Sequence, residues 1–418
     1  MNLDETLKKG KAASKLLRIS SVDQRNQTLL SLAQKLSSQK SEIFAANQTD
    51  LKNLRPDANA AFRDRLLLTE ARLQGMQESL KQVANLSDPI GEVVEERKLS
   101  NGVQTRRVRS PLGLIFLIFE SRPNVAIEAF SLALKSGNGI ILRGGKESMH
   151  STGIFYRLMR EALQESGLSP DSVIGITDPD HALVEKLLHA KKYIDVVVPR
   201  GGERLIEFVV ENSKIPIIKN DRGLCHIYVD QDADLEPAEL IVENAKKQRP
   251  GVCNAMETLL VHEKIASEFL PKLFQRLSGA VNPVIWHVCE KTKALLPESD
   301  FVKSASSTSF DTEYLDLEMS CKIVSSLEEA IEHIEEHGSK HSEAILTRNE
   351  KAARRFQSEI DAAAVYWNAS TRFTDGFELG LGGELGISTQ KLHVRGPVGL
   401  RELTSVRWIM DGTGQIRK

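Results

Sequence analysis

The sequence predicts an α/β protein of two domains, on three observations. Its 418 residues exceed what one compact hydrophobic core accommodates. From Pro111 onward, short and nearly uninterrupted apolar runs alternate with amphipathic segments, the pattern of a parallel sheet covered on both faces. That alternation occurs twice, with a break near residues 219–225. A cleft between two such domains is the natural place for a ligand.

Taken in order, the chain opens on helix. Ser21 and Gln24 have capping-box spacing, and Leu29, Ala33 and Leu36 recur on one helical face. Residues 93–108 hold two polar, extended segments around Asn101-Gly102, a hairpin-turn pair because both positions tolerate positive φ. Two readings stand for this hairpin: a solvated surface loop, or an arm whose exposed edges pair with another subunit. In the first alternating block the strands are expected at 112–119, 139–143, 173–177, 194–199 and 215–219. Segments 154–163 and 183–190 supply helices between them. A nucleotide would bind at the carboxyl ends of such strands. The second block has expected strands at 226–230, 258–262, 322–324, 344–347 and 364–368. Helices at 239–247, 264–277, 327–336 and 350–360 connect them.

Composition narrows the function classes. Charged residues make up 27% of the chain and its formal net charge is −2, which supplies no basic field for nucleic acid or an anionic membrane. No apolar run approaches the roughly 20 residues of a membrane helix. The polar, acidic start Met1-Asn2-Leu3-Asp4-Glu5 does not read as a secretory signal. Cys225, Cys253, Cys289 and Cys321 lack the tight spacing of a disulfide scaffold or a zinc site, which points to a reducing cytosol. His333 and His341 are too far apart for adjacent turns of one helix, and no carboxylate or cysteine completes a metal site, so no metal is expected.

Chemistry concentrates in a few segments. Gln248-Arg249-Pro250-Gly251-Val252-Cys253 places a cysteine in a Pro-Gly loop between a predicted helix and a predicted strand. A nucleophilic thiolate needs such a reachable loop, with Arg249 and loop amides to favour the anion; a buried, inert thiol is the alternative. Phe119-Glu120-Ser121-Arg122-Pro123-Asn124 ends one strand and starts a helix, so Asn124 is either an oxyanion donor or a helix N-cap. Arg143-Gly144-Gly145-Lys146 and Arg200-Gly201-Gly202-Glu203 are glycine turns at strand ends, suited to a nucleotide phosphate or ribose. Neither a GxGxxG nor a Walker A pattern accompanies them. Ser370-Thr371-Arg372, before a glycine-rich loop, can hold a carboxylate or phosphate or simply be exposed.

These segments resemble the aldehyde dehydrogenase superfamily, and within it the glutamate-5-semialdehyde dehydrogenases (γ-glutamyl phosphate reductases). The resemblance is carried by residues 120–125, 135–145, 198–202, 225–230, 248–258, 313–316, 337–343, 368–372 and 375–399, nearly the whole chain; residues 283–307 match poorly. It implies an aldehyde dehydrogenase-like fold with a Rossmann-like cofactor domain, an α/β catalytic domain and a β-hairpin oligomerisation element. The corresponding boundaries are 1–90 with 110–221 for NADP binding, 222–388 for catalysis, and 91–109 with 395–418 for oligomerisation. Cys253 is then the nucleophile and Asn124 the oxyanion donor. Arg143, Lys146, Gly201, Gly202 and Glu313 bind the cofactor, with Arg143 placed for a 2′-phosphate and Glu313 for the nicotinamide ribose. Arg122, Ser370, Thr371 and Arg372 bind substrate.

The activity so implied is NADPH-dependent reduction of L-glutamyl 5-phosphate to glutamate 5-semialdehyde through a Cys253 thioester, the second step of proline synthesis from glutamate. A separate glutamate 5-kinase would supply the acyl phosphate to a cytoplasmic homo-oligomer. Oxidising members carry a water-activating glutamate that falls near Asn220 here, flanked by Lys219 and Asp221. A reductase needs no such base. The competing readings are an oxidising dehydrogenase using Asp221, a cysteine hydrolase, and a catalytically silent nucleotide-binding scaffold.

Overall fold

A computed structural model of the chain describes residues 2–56, 58, 60–219, 222–279 and 281–417. Asn220 and Asp221, the region of the water-activating position, lie outside the described residues. Two compact units make up the chain: residues 1–220 with 380–386 and 398–418, and residues 221–379 with 387–397.

The first unit opens with helices α1 (Leu3–Leu17), α2 (Val22–Ser38), α3 (Lys40–Lys52), α4 (Ala60–Leu66) and α5 (Glu70–Asn85). Ser21 and Gln24 close a full capping box on α2, satisfying two backbone amides that the helix itself cannot. Strands β1 (Val93–Lys98) and β2 (Gln104–Pro111) form the antiparallel hairpin, with Gly102 at φ +90° in its turn. The outer edge of β2 pairs with the C-terminal strand Thr404–Asp411, making a three-stranded sheet.

Strands β3 (Leu114–Phe119), β4 (Gly139–Arg143), β5 (Val173–Ile176) and β6 (Val196–Arg200) form a parallel sheet in the order β5-β4-β3-β6. Every residue of β3 is buried, as an interior strand covered on both faces requires. Helices α6 (Asn124–Lys135), α7 (Met149–Glu165) and α8 (His181–Leu188) make the crossovers, and α9 (Glu203–Asn212) follows β6. From β3 the sheet grows to one side through β4 and β5 and then to the other through β6, so the loops after β3 and β6 flank the switch point where α/β sheets bind ligands. Segment 215–219 is not the fifth strand expected. It makes one bridge, Ile217 to Val197, because Pro216 has no amide proton with which to continue a ladder.

The second unit is built on a seven-stranded parallel sheet. Its strands are β7 (Cys225–Val229), β8 (Met256–His262), β9 (Ile285–Val288), β10 (Val302–Ser304), β11 (Glu318–Val324), β12 (Ser342–Leu346) and β13 (Ala364–Trp367). They lie in the order β10-β9-β11-β8-β7-β12-β13. Helices α10 (Leu235–Lys247), α11 (Glu263–Ser278), α12 (Glu290–Lys293), α13 (Leu327–His337) and α14 (Glu350–Glu359) connect them. Strands β9 and β10 occupy the stretch without an expected element. There Trp286 is fully buried, tilted against Phe274, with its indole N–H donating to Ser278 Oγ at 3.1 Å. Strand β8 begins two residues earlier than its apolar run suggested, which brings Glu257 into the sheet with no exposed surface.

Candidate active site

In the second unit, α10 ends at Lys247 and β8 begins at Met256, and the loop between them carries Cys253. Pro250 and Gly251 stop the helix from continuing. The loop is fastened at several points. Ala255 N–H donates to the Val252 carbonyl at 3.0 Å. Asn254 Nδ2 donates to the carbonyls of Thr374 (2.8 Å) and Arg372 (3.3 Å), and Thr371 Oγ1 returns a hydrogen bond to the Asn254 carbonyl at 2.7 Å. Behind Cys253, the Cys225 thiol donates to the Cys253 carbonyl at 3.1 Å. Gly223 packs so tightly against Cys253 that a Cβ there would lie 1.7 Å from its carbonyl oxygen. Cys253 itself is half-buried, whereas Cys225 is fully buried, and burial pushes the Cys225 thiol well up. Of the two, only Cys253 has the accessibility a nucleophile needs.

Around this loop the second unit gathers the other residues expected there. Ser370 is buried and its Oγ accepts from Arg372 N, capping the turn; Thr371 is fully buried and holds the Cys253 loop. Both hydroxyls are therefore engaged in supporting the site. Arg372 is half-buried, and its Nε donates to Gln248 Oε1 at 2.9 Å. Burial holds its guanidinium below the ordinary value; Asp375 and Cys253 oppose that and Arg249 adds to it. Two guanidinium groups and the thiol thus share one electrostatic neighbourhood. Glu313 Oε1 accepts from Gly223 N at 2.8 Å, tying the 313–315 turn to the segment under Cys253.

In the first unit, the remaining site residues lie at the carboxyl ends of β3, β4 and β6. Glu120 Oε1, just past β3, accepts from Gly202 N at 2.7 Å, and Ser121 Oγ donates to Glu147 Oε2 at 3.1 Å. A Cβ on Gly201 would come within 2.7 Å of the Glu120 carboxyl group, so glycine lets the β6 turn close on the β3 loop. Arg122 is exposed on that loop. Asn124 is the first residue of α6 rather than its N-cap, a position Pro123 occupies. Its Nδ2 donates to Glu128 Oε1 at 2.8 Å, and the amide carries a second hydrogen for another acceptor. Arg143 Nη2 donates to the Pro179 carbonyl at 3.2 Å, while its Nε is buried without a hydrogen-bond partner. Burial holds this guanidinium down too.

The Aldehyde dehydrogenase family model matches residues 1–282. The chain belongs to the aldehyde dehydrogenase family. Among its curated relatives is the gamma-glutamyl phosphate reductase of Carboxydothermus hydrogenoformans, 49% identical over 99% of this chain and 100% of that protein. The enzyme of that name from Clostridium kluyveri is 48% identical, over 99% and 98%. A crystal structure of gamma-glutamyl phosphate reductase from Thermotoga maritima superposes with a TM-score of 0.96 at 44% identity, covering all of both chains. An acetylating aldehyde dehydrogenase from Geobacillus thermoglucosidasius, 18% identical, shares the fold (TM-score 0.69) over 99% of this chain and 97% of that one. The chain is thus an oxidoreductase of the aldehyde dehydrogenase family.

That family works with a nicotinamide cofactor, and the first unit fits one. The unpaired, buried Arg143 Nε calls for an acceptor, and Lys146 stands three residues further on. A cavity of about 540 Å³ opens beside Lys146, lined also by Arg55, Arg65, Glu147, His150 and Pro179. Its lining mixes three cations (Arg55, Arg65 and Lys146) with the carboxylates of Asp50 and Glu147. Among the described residues, no three His, Cys, Asp or Glu side chains converge as a metal cluster.

Several contributors escaped the sequence reading. Gly223 and Asn254 matter through contacts that only the folded chain brings about, and Thr371, expected at the substrate, instead holds the Cys253 loop. A buried ion pair is another: Lys246 Nζ meets Glu257 Oε2 at 3.0 Å, both without exposure. The one available signal was the glutamate that follows the cysteine loop at the start of an otherwise largely apolar strand.

Proposed function

We propose that this chain is an NADPH-dependent γ-glutamyl phosphate reductase, converting L-glutamyl 5-phosphate to L-glutamate 5-semialdehyde and phosphate in the second step of proline biosynthesis. The observation that carries the reading is near-complete, 49% identity to an enzyme of that name, joined to an accessible Cys253 on a loop pinned from behind. Arg249 and Arg372 favour the Cys253 thiolate and an anionic substrate beside it. The thiolate attacks the acyl carbonyl, with Asn124 and the Cys253 amide donating to the oxyanion. Phosphate departs with the C–O bond electrons, leaving a thioester on Cys253. When bound, the nicotinamide supplies the hydride that reduces it. The alkoxide so formed, held by the same oxyanion donors, collapses as the C–S bond breaks with its electrons returning to sulfur, which releases the aldehyde and restores the thiolate. The aldehyde then cyclises to pyrroline-5-carboxylate.

The same reading assigns the first unit to cofactor binding and the second to catalysis. Arg143 and Lys146 meet the 2′-phosphate side of the cofactor, Gly201 and Gly202 allow its close approach, and Glu313 holds the nicotinamide ribose. Arg122 and Arg372 hold the anionic groups of the substrate, with Ser370 and Thr371 fixing the turn that presents Arg372. The sheet formed by β1, β2 and the C-terminal strand exposes Val93, Val94, Trp408 and Met410 along its free edges, which supports self-association there. A reducing cytosol suits the reactive thiol. No helix among the described residues is long and apolar enough to cross a membrane.

Purified chain incubated with glutamate, ATP, NADPH and a separate glutamate 5-kinase tests the reading. The expected result is NADPH oxidation with pyrroline-5-carboxylate formed, strictly dependent on the kinase. NADPH oxidation that proceeds without the kinase, or none with it, would overturn the assignment.

A further inference from the structure

Behind the Cys253 loop lies a polar group that the reaction does not use. Lys246, in the last turn of α10, and Glu257, the second residue of β8, bracket the loop on either side and meet with no exposed surface. Lys246 Nζ donates to Glu257 Oε2 and to the Met256 carbonyl, each at 3.0 Å. The Glu257 carboxylate reaches further. Its Oε2 accepts from Tyr314 N and its Oε1 from Leu315 N, both at 3.3 Å. Leu315 has φ +54°, a left-handed conformation that a leucine adopts only when its surroundings hold it there. One carboxylate therefore anchors two successive amides of the turn that begins at Glu313, and Glu313 in turn accepts from Gly223 N beneath Cys253.

A buried ion pair is a poor device for stability alone, since removing two charges from water consumes most of what their attraction returns. Burial pushes the Glu257 carboxyl up to about 7 and Lys246 down, so each charge persists chiefly because of the other; Glu313 adds repulsion on Glu257, and Asp316 and Cys225 support Lys246. Two apolar side chains would fill the space more cheaply but would leave the amides of Tyr314 and Leu315 without an acceptor. The geometry therefore points to a positional purpose. We propose that Lys246 and Glu257 form a buried clamp that fixes the Glu313–Leu315 turn, and so sets where the Glu313 carboxylate meets the cofactor's ribose. The clamp rests on the reading above that Glu313 faces the nicotinamide ribose. Neither residue touches substrate or cofactor; both are positioning residues.

The test is a fluorescence titration of NADPH into the full chain without substrate, alongside the rate at which iodoacetamide alkylates Cys253. Glu257→Gln and Lys246→Met are expected to weaken NADPH binding about tenfold, the scale of a lost charged hydrogen bond, with alkylation within about threefold of wild type. Glu257→Gln added to Glu313→Ala is expected to weaken binding no further than Glu313→Ala alone, because the clamp acts through Glu313. Should a single variant not fold, Lys246→Met with Glu257→Met removes both charges, leaves no orphaned ion, and is expected to weaken NADPH binding equally. Binding within twofold of wild type in the clamp variants, or losses that multiply with Glu313→Ala, would overturn the inference. Wild-type protein that binds NADPH yet fails the kinase-coupled assay would refute the substrate assignment and leave the clamp comparison intact. Wild-type protein that binds no nicotinamide nucleotide would overturn the clamp together with its premise.

Discussion

Gly223 governs Cys253 by exclusion: nothing larger than a hydrogen fits between its Cα and the Cys253 carbonyl. Gly223→Ala is accordingly expected to lower kcat by about 100-fold through displacement of Cys253, the proposed nucleophile, an ångström-scale misplacement. Cofactor affinity should fall less, by about tenfold, through Glu313, whose carboxylate accepts from Gly223 N. Steady-state kinetics with a parallel NADPH titration separates the two. Arg143 offers a second residue-scale test. Its buried, unpaired Nε suits an anion, so Arg143→Ala is expected to raise KM for NADPH by about 30-fold and to leave KM for NADH nearly unchanged. Cys253 and Gly201 were legible in the sequence because a cysteine after Pro-Gly and a glycine after an apolar run carry their meaning locally. Gly223 and Glu257 were not, because each acts on a partner distant in the chain, and Thr371 was picked out for an anion although its hydroxyl serves the Asn254 carbonyl. Asn124 was half legible: its place at the strand–helix junction stood out, but its side chain serves Glu128 rather than a helix cap.

Among the elements, long runs with one dominant period were readable, and the parallel strands β3, β4, β7 and β12 lie close to where uninterrupted apolar residues placed them. Short or interrupted elements were not. Segment 215–219 has the composition of a strand, yet Pro216 limits it to one bridge. Strand β9 holds four residues in which buried and half-buried positions alternate, too few for a period to emerge. Its anchor is Trp286, one of the largest fully buried side chains in the second unit. Trp286→Ala is expected to destabilise that unit by about 4 kcal/mol through the cavity left and the hydrogen bond lost to Ser278. Urea unfolding followed by far-UV circular dichroism measures it; a loss below about 1 kcal/mol would show that β9 is peripheral to the core.

At the scale of the whole molecule, buried titratable groups shape the dependence of stability on pH, and they do so with opposite signs. Burial lowers the His341 imidazole to about 4 and the His333 imidazole to about 2. Both stay neutral in the fold while the unfolded chain takes up protons below its value near 6.5. Their contribution is present above that pH and is lost as pH falls towards 4. Glu257, raised to about 7, works the other way: its contribution is present below the unfolded carboxyl value and is lost as pH rises through 7. The total curve therefore partly cancels, and a difference is the informative measurement. The stability of wild type minus that of His341→Asn is expected to fall by up to about 1.4 kcal/mol per pH unit between pH 6.5 and 4. A difference independent of pH would mean that His341 is not held neutral. Assembly belongs to the same scale. Trp408→Glu, on the exposed C-terminal strand, is expected to shift the protein to a smaller species in sedimentation velocity without lowering its helix content.

The central claim is that Cys253 exchanges its acyl group with phosphate rather than with water. The most direct measurement is the reverse reaction, with pyrroline-5-carboxylate and NADP⁺ supplied in the presence and absence of inorganic phosphate, for wild type and for Cys253→Ser. The expected result is NADPH formation that rises with phosphate, is negligible without it, and vanishes in Cys253→Ser. NADPH formation that proceeds equally well without phosphate would mean that water releases the acyl group, and the chain would be an oxidising dehydrogenase instead.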